Sequence, residues 1–316
     1  MSQLSHFKII KPLGEGTFGT VYLVNRIQDQ KQYAMKKVKM MCLSTREQEN
    51  ALNEVRILAS LKSENIIRYK NAFIDNPTQT LCIIMEFATK GDLQKQISEH
   101  MKRNDYFDEK SIWKYASDIL KGLKILHSSK ILHRDLKCAN IFISNSDSLK
   151  LGDLNVSKVQ KRDFAYTQTG TPYYTAPEVW KNKPYDSKCD IWSFGCVLYE
   201  ISTFEPPFKG ISIEDLYKKI VKGAFIPINS QKYSSELQNF ISVCLKVDPK
   251  QRENVDNLLK NKNIAKYMNI EDTKDFVTQS PGGHCQIKIG GDYNYFQDKE
   301  IQQNQFQIMI YGSYSD

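Results

Sequence analysis

The sequence predicts an α+β fold in two lobes: a small lobe of antiparallel strands with one key helix, then a larger, mainly helical lobe. Three observations carry that expectation. Apart from one helical stretch, the first part of the chain holds short β-branched runs separated by polar or glycine-rich turns. After Thr89-Lys90-Gly91-Asp92 the hydrophobic residues recur at helical spacing instead. Finally, 41% hydrophobic residues in a chain of 316 can bury one large core or two modest ones, which excludes disorder throughout.

The elements follow in order. Residues 7–11 lead into a glycine cluster, 20–24 follow it, and 32–38 come after the polar turn Gln28-Asp29-Gln30-Lys31, which together read as an antiparallel meander. Ser44-Thr45-Arg46-Glu47 has the spacing of a capping box, with Ser44 as N-cap and Glu47 reaching back. It opens a helix running to Leu61, on which Glu54 and Leu58 share a face. Two further strands surround Asn76-Pro77, the second over residues 81–87. In the larger lobe Ile112, Tyr115, Ala116, Ile119, Leu120, Leu123 and Leu126 mark an amphipathic helix capped by Asp108. From Asp190 to Ile201 the chain is apolar nearly all round, which predicts a buried core helix too short to cross a bilayer. Helical patterning continues through 216–221 and 237–245 and stops after Leu259. The small lobe is thus expected over about residues 7–88 and the large lobe over about 89–262. Residues 263–316, rich in Asn, Gln, Tyr and Gly, read as a polar, acidic, flexible tail.

Charge and cysteine content narrow the class. The chain holds 44 Lys and Arg against 36 Asp and Glu, but the net +8 divides into −3 over residues 263–316 and +11 over the rest. A basic body could attract phosphates, acidic substrates or an acidic filament surface, although an ordinary solvated surface accounts for the charge by itself. Seven scattered cysteines, an odd number with no C-x-x-C pair, predict reduced thiols rather than a disulfide frame or a zinc site. No apolar run reaches the length of a membrane span, and the first residues show neither a secretory nor a myristoylation pattern. The expectation is a cytoplasmic protein, with cytoskeletal or nuclear association open, and neither a membrane nor a nucleic acid as partner.

Three clusters carry chemistry. Gly14-Glu15-Gly16-Thr17-Phe18-Gly19 is a G-x-G-x-x-G followed by a strand, not by the helix that a dinucleotide site requires. Such a hairpin can lay backbone N–H groups over a polyphosphate. Lys36, one strand further on, has Glu54 on the inward face of the next helix as a partner, a pair able to hold an ammonium against nucleotide phosphates. Glu47 and Glu49 are rival partners, but they lie in the first helical turn, where the helix dipole already explains them. The third cluster is the strongest. His133-Arg134-Asp135-Leu136-Lys137-Cys138-Ala139-Asn140 precedes one strand, and Gly152-Asp153 follows another. One carboxylate can accept a hydroxyl proton while the amide and the second carboxylate bind Mg²⁺.

These residues, with Ala176-Pro177-Glu178, Asp190 and Arg252, occur in the order of the eukaryotic protein kinase fold, which residues 7–262 resemble. Lys137 and Gly170-Thr171-Pro172-Tyr173-Tyr174 look like a serine/threonine kinase, and Gly152-Asp153-Leu154-Asn155-Val156-Ser157-Lys158-Val159 resembles the NIMA-related (Nek) group. The resemblance implies a Ser/Thr protein kinase using ATP and Mg²⁺. In it Asp135 would orient and deprotonate the substrate hydroxyl, Lys137 would steady the transferred phosphoryl group, Lys36 and Glu54 would form the ion pair, and Asn140 and Asp153 would bind the metal. Gly14, Gly16, Gly19, Val21, Ala34, Lys36, the gatekeeper Met85, the hinge Glu86, Phe87 and Ala88, and Asp92 and Phe142 would line the nucleotide. Glu178, Arg252 and Asp190 would be scaffold.

The same resemblance makes Thr171 a contact of Asp135 and Thr167 a regulatory phosphorylation site, whose phosphate could pair with Arg134 and with nearby Lys158, Lys161 or Arg162. That phosphate would come from an upstream kinase or from autophosphorylation. Partners would be proteins with serine or threonine acceptors, with cytoskeletal association and a cell-cycle, centrosome or cilium role implied by the Nek likeness. One departure stands out: Asp153-Leu154-Asn155 replaces the usual Asp-Phe-Gly. Leucine keeps an apolar plug and asparagine tolerates positive φ, so the turn can survive. The same departure supports the alternative, an ATP-binding pseudokinase scaffold.

Overall fold

The computed structural model describes residues 3–16, 19–153 and 172–268, the side chains of Asn50, Asn53, Glu54 and Ile57 excepted. The chain divides into two compact units, and among the described residues the first holds 3–62 and 68–87, the second 63–67 and 88–268.

In the first unit, five strands form one antiparallel sheet in the order β1-β2-β3-β5-β4: β1 Phe7–Gly16, β2 Gly19–Arg26, β3 Gln32–Lys39, β4 Tyr69–Asp75 and β5 Thr80–Glu86. The interior strand β5 shows why no alternation is visible in its sequence. Leu81, Cys82, Ile83 and Ile84 are all buried, because both faces of the sheet are covered. On one face Val24, Tyr33, Met35, Phe73, Cys82 and Ile84 form a core closed by Leu4, Phe7 and Tyr22. On the other, Val38, Leu81 and Ile83 pack with Ala51 and Val55 of helix α1, Thr45–Ser60. The predicted capping box starts α1: Ser44 N–H donates to Glu47 Oε2 at 2.9 Å, and Glu47 N–H returns to Ser44 Oγ at 3.4 Å. Two orphan N–H groups are satisfied reciprocally.

The second unit is mainly helical. It contains α2 Leu93–Arg103, α3 Glu109–Ser128, α4 Pro177–Trp180, α5 Lys188–Thr203, α6 Ile213–Lys222, α7 Ser235–Cys244, α8 Val255–Leu259 and α9 Lys262–Ala265. Asp108 caps α3 as its spacing predicts, accepting the Ser111 N–H at 2.9 Å. Helix α5 is buried along its length from Cys189 to Ser202. At Gly195 a Cβ would lie 2.8 Å from the Cys244 Cβ, so the glycine lets α7 approach α5 closely.

Strands β6, Ile141–Ile143, and β7, Leu149–Leu151, form an antiparallel pair beside α3. Residues 63–67, from the gap in the first unit, extend this pair: Leu151 N–H donates to Asn65 O and Ile67 N–H to Leu151 O, both at 2.8 Å.

Three helices differ from the sequence reading: α2, the four-residue α4 and α9. Helix α2 was not anticipated as an element, because its polar sequence buries only Leu93 and Ile97. Helical structure also does not stop after Leu259. The short α9 follows, with Ile264 fully buried and Tyr267 O accepting the Lys121 ammonium at 2.8 Å. Among the described residues no helix is long and apolar enough to cross a membrane, and the six cysteines are free thiols.

Candidate active site

In the first unit, strand register assembles the predicted nucleotide-facing positions. Gly14 lies opposite Val21, Val21 opposite Lys36, and Lys36 opposite Ile83, while Ala34 lies between Leu23 and Met85. Opposed residues share a face, as do alternate residues of one strand. Val21, Ala34, Lys36 and Met85 therefore sit on the face carrying Ile83, to which α1 contributes Ala51 and Val55. The Glu54 side chain lies outside the described residues.

The glycines differ in what they do. A Cβ at Gly19 would lie 1.9 Å from Lys37 O, so only glycine fits between the strands there, whereas a Cβ at Gly14 would meet nothing within 4 Å. Gly16 pairs with Gly19 at the end of the hairpin. In the hinge stretch, Glu86 N–H donates to Arg68 O at 2.9 Å and its carboxylate accepts Arg68 N–H at 2.8 Å. Phe87 ends the first unit and Ala88 begins this part of the second.

In the second unit the predicted catalytic residues converge. Lys137 Nζ lies 3.1 Å from Asp135 Oδ2, and the same oxygen accepts Asn140 Nδ2 at 3.0 Å. Asn140 Nδ2 also donates to Asp135 O at 2.8 Å, so its amide is fixed with the nitrogen turned to Asp135 and the oxygen left as the ligand atom. Gly152 N–H donates to Asn140 O at 3.0 Å, which ties the residue before Asp153 to the same loop. Asp153 itself is exposed, with φ of 49°. Among the described residues no group of three or more His, Cys, Asp and Glu side chains is set to hold a metal. The oxygen pair of Asn140 and Asp153 nevertheless suits a hard cation such as Mg²⁺, which takes few protein ligands and completes its shell with water and phosphate oxygens. Asp92 caps α2, accepting Lys95 N–H at 2.9 Å, and bridges Phe142 of β6. The Phe142 ring in turn occupies the space a Cβ on Gly152 would need.

Buried side chains fix this loop from below. Asp190 of α5 accepts the N–H groups of His133 and Arg134, each at 2.9 Å, and lies 2.9 Å from His127 Nε2. These bonds hold Arg134 at φ of 64°, a left-handed conformation that costs about 1 kcal/mol or more in a non-glycine residue. Burial pushes the Asp190 carboxyl up, but the His127 hydrogen bond, the neighbouring imidazoles and the Arg134 N–H outweigh it and hold its pKa below the usual value. Burial lowers the His133 pKa below the usual imidazole value. Farther along, Arg252 makes a bidentate pair with Glu178 at 2.8 and 3.1 Å and also donates to Lys188 O and Lys246 O.

Sequence reasoning missed two residues here. His127 was passed over at the end of α3. Glu200, which is 5% exposed, accepts hydrogen bonds from Cys138 Sγ at 3.3 Å and from the Tyr174 hydroxyl. Burial pushes the Glu200 carboxyl above its usual pKa. Its donors come from distant parts of the chain, so no local signal marked it. Thr167, Thr171 and Leu154-Asn155-Val156 lie outside the described residues.

The glycine hairpin, the strand lysine and the Asp–Lys–Asn loop all lie in a stretch of sequence with a counterpart in known proteins. The family profile described as protein kinase domain matches residues 7–264. The chain belongs to the protein kinase family. Among relatives of this kinase, the probable serine/threonine-protein kinase nek3 of Dictyostelium discoideum is 41% identical over 273 residues, covering 84% of this chain and 24% of that protein. Nek2 of the same organism is 38% identical over 260 residues, 81% of this chain and 62% of its own. Human Nek5 is 39% identical over 260 residues, 81% and 36% respectively. The chain is a Nek-like Ser/Thr kinase in sequence, and it spans less than two thirds of the length of these relatives.

Proposed function

We propose that this kinase transfers the γ-phosphoryl group of ATP to serine or threonine hydroxyls of proteins. The observation that carries the reading is the Asp135–Lys137–Asn140 cluster, where three side chains meet around one carboxylate. Asp135 would take the hydroxyl proton, and its hydrogen bond from Asn140 orients it for that task. Lys137, a point charge beside the same carboxylate oxygen, would stabilise charge on the phosphoryl oxygens as they move toward the acceptor. Lys36 would hold the nonreacting phosphates, together with Glu54. Val21, Ala34, Met85, the hinge residues 86–88, Asp92 and Phe142 would line the nucleotide. Mg²⁺ bound by Asn140 and Asp153 would neutralise phosphate charge. Every other part of the reaction is positioning by the chain itself.

The regulatory role of Thr167 belongs to the same proposal. Arg134 Nε and Nη1 are buried and without a hydrogen-bond partner among the described residues, and the guanidinium lies 5.8 Å from the Tyr185 ring centroid. A phosphate on Thr167 would supply the acceptor oxygens that these donors lack.

Incorporation of labelled phosphate from ATP into a generic protein substrate tests the reading. Asp135→Asn should lower it about 100-fold or more. Incorporation that persists undiminished in that variant would overturn the assignment.

A further inference from the structure

Cys138 lies between Lys137 and Asn140, opening the short 3₁₀ turn over Cys138–Asn140. Its side chain is fully buried, and its thiol donates to Glu200 Oε2 at 3.3 Å. That oxygen also accepts the hydroxyl of Tyr174, which stands just ahead of Ala176-Pro177-Glu178. A third donor is the side chain of Gln94 on α2. All three donors are neutral. Tyr174 is tied to α5 a second time, since Ser193 Oγ donates to Tyr174 O at 2.8 Å. One buried carboxylate oxygen therefore joins the loop that holds Asp135 to the segment leading into α4. Packing alone would be served by an apolar residue at 138. A donor there lets a shift of Tyr174 reach Lys137 and Asn140 through two hydrogen bonds, with no solvent between.

We propose that the Cys138 thiol is a positioning residue for phosphoryl transfer, coupling the Tyr174 segment to the Asp135–Lys137–Asn140 loop through Glu200. The inference rests on the kinase reading above, and the thiol touches neither substrate nor nucleotide. Buried and hydrogen-bonded, it is a structural cysteine rather than a reactive one.

A double-mutant cycle on the full chain tests it, with kcat and the KM values for ATP and for a protein substrate measured alongside thermal unfolding. Transfer by the unmodified chain comes first, and its absence would overturn the kinase reading itself. Given transfer, Cys138→Ala should lower kcat about three- to tenfold, the size of one ordinary hydrogen bond, with the KM for ATP unchanged. Cys138→Ser, which keeps a donor, should restore kcat. Tyr174→Phe should lower kcat similarly, and the double variant should lose no more than the larger single loss. Full kcat in Cys138→Ala, failure of serine to rescue, or losses that multiply in the double variant would overturn the coupling. If Cys138→Ala unfolds, Cys138→Val, which fills the volume without a donor, decides the same question.

Discussion

The two ends of helix α5 hold buried carboxylates that serve the same loop in opposite electrostatic settings. Asp190 lies in the first turn, where the helix dipole favours negative charge, and accepts two backbone N–H groups beside two histidines. Glu200 lies in the last turn, where the dipole opposes it, and among the described residues it is met by a thiol, a phenol and an amide. One pKa is held down and the other pushed up by burial. The difference teaches that a buried acid can be a secure anchor or a costly one on a single helix, according to its donors rather than its depth.

The largest expected effect removes the secure anchor. Asp190→Ala strips the acceptor from the His133 and Arg134 N–H groups and from His127, and should cost about 3 kcal/mol or more in urea unfolding. A loss under about 1 kcal/mol would break the claim that this acid pins the loop. A smaller effect sharpens the contrast through pH. Asp190 titrates below its ordinary 3.8 when folded, so its stabilisation is present above about 4 and is lost as pH falls through the folded value. Asp190→Asn should therefore flatten the acid limb of the stability curve. Glu200 titrates above its ordinary 4.5, so the native chain holds a proton that the unfolded chain has released, and stability is lost as pH rises through that window. The smallest effect follows: Glu200→Gln should remove that decline and change stability at pH 7 by less than about 1 kcal/mol, on the stabilising side. Identical pH profiles for Glu200→Gln and the unmodified chain would show that the two ends are alike.

How much of this the sequence disclosed depended on the range of the interaction. The Ser44–Glu47 box and the Asp108 cap were legible because both partners lie within one turn. Helix α5 was legible because it is apolar on every side, and the Asp135–Lys137–Asn140 loop because its chemistry is contiguous in sequence. Helix α2 was not, since Leu93 and Ile97 are too few to mark a stripe, and its cap, Asp92, reads from sequence as a change of pattern and a nucleotide-lining residue rather than as an N-cap. Glu200 was hidden for a different reason. Its partners stand 62 and 26 residues away, so nothing local distinguishes it from a solvated acid near a helix end.

The piece of chain over Ser63–Ile67 has a consequence in time. It belongs to the second unit although residues of the first precede and follow it, and Asn65 reaches Leu149 across a separation of 84 residues. A ribosome releases the chain from its N-terminus, so β1 to β5 emerge well before β7. The five-stranded sheet can close as soon as Glu86 is out, while the Asn65 C=O and the Ile67 N–H must wait for their partner until Leu151 arrives. The entropy of closing so long a loop grows only slowly with its length, so the delay is one of sequence order rather than of free energy. A nascent chain halted before residue 149 would hold a finished sheet and an unclaimed segment between two of its strands and α1.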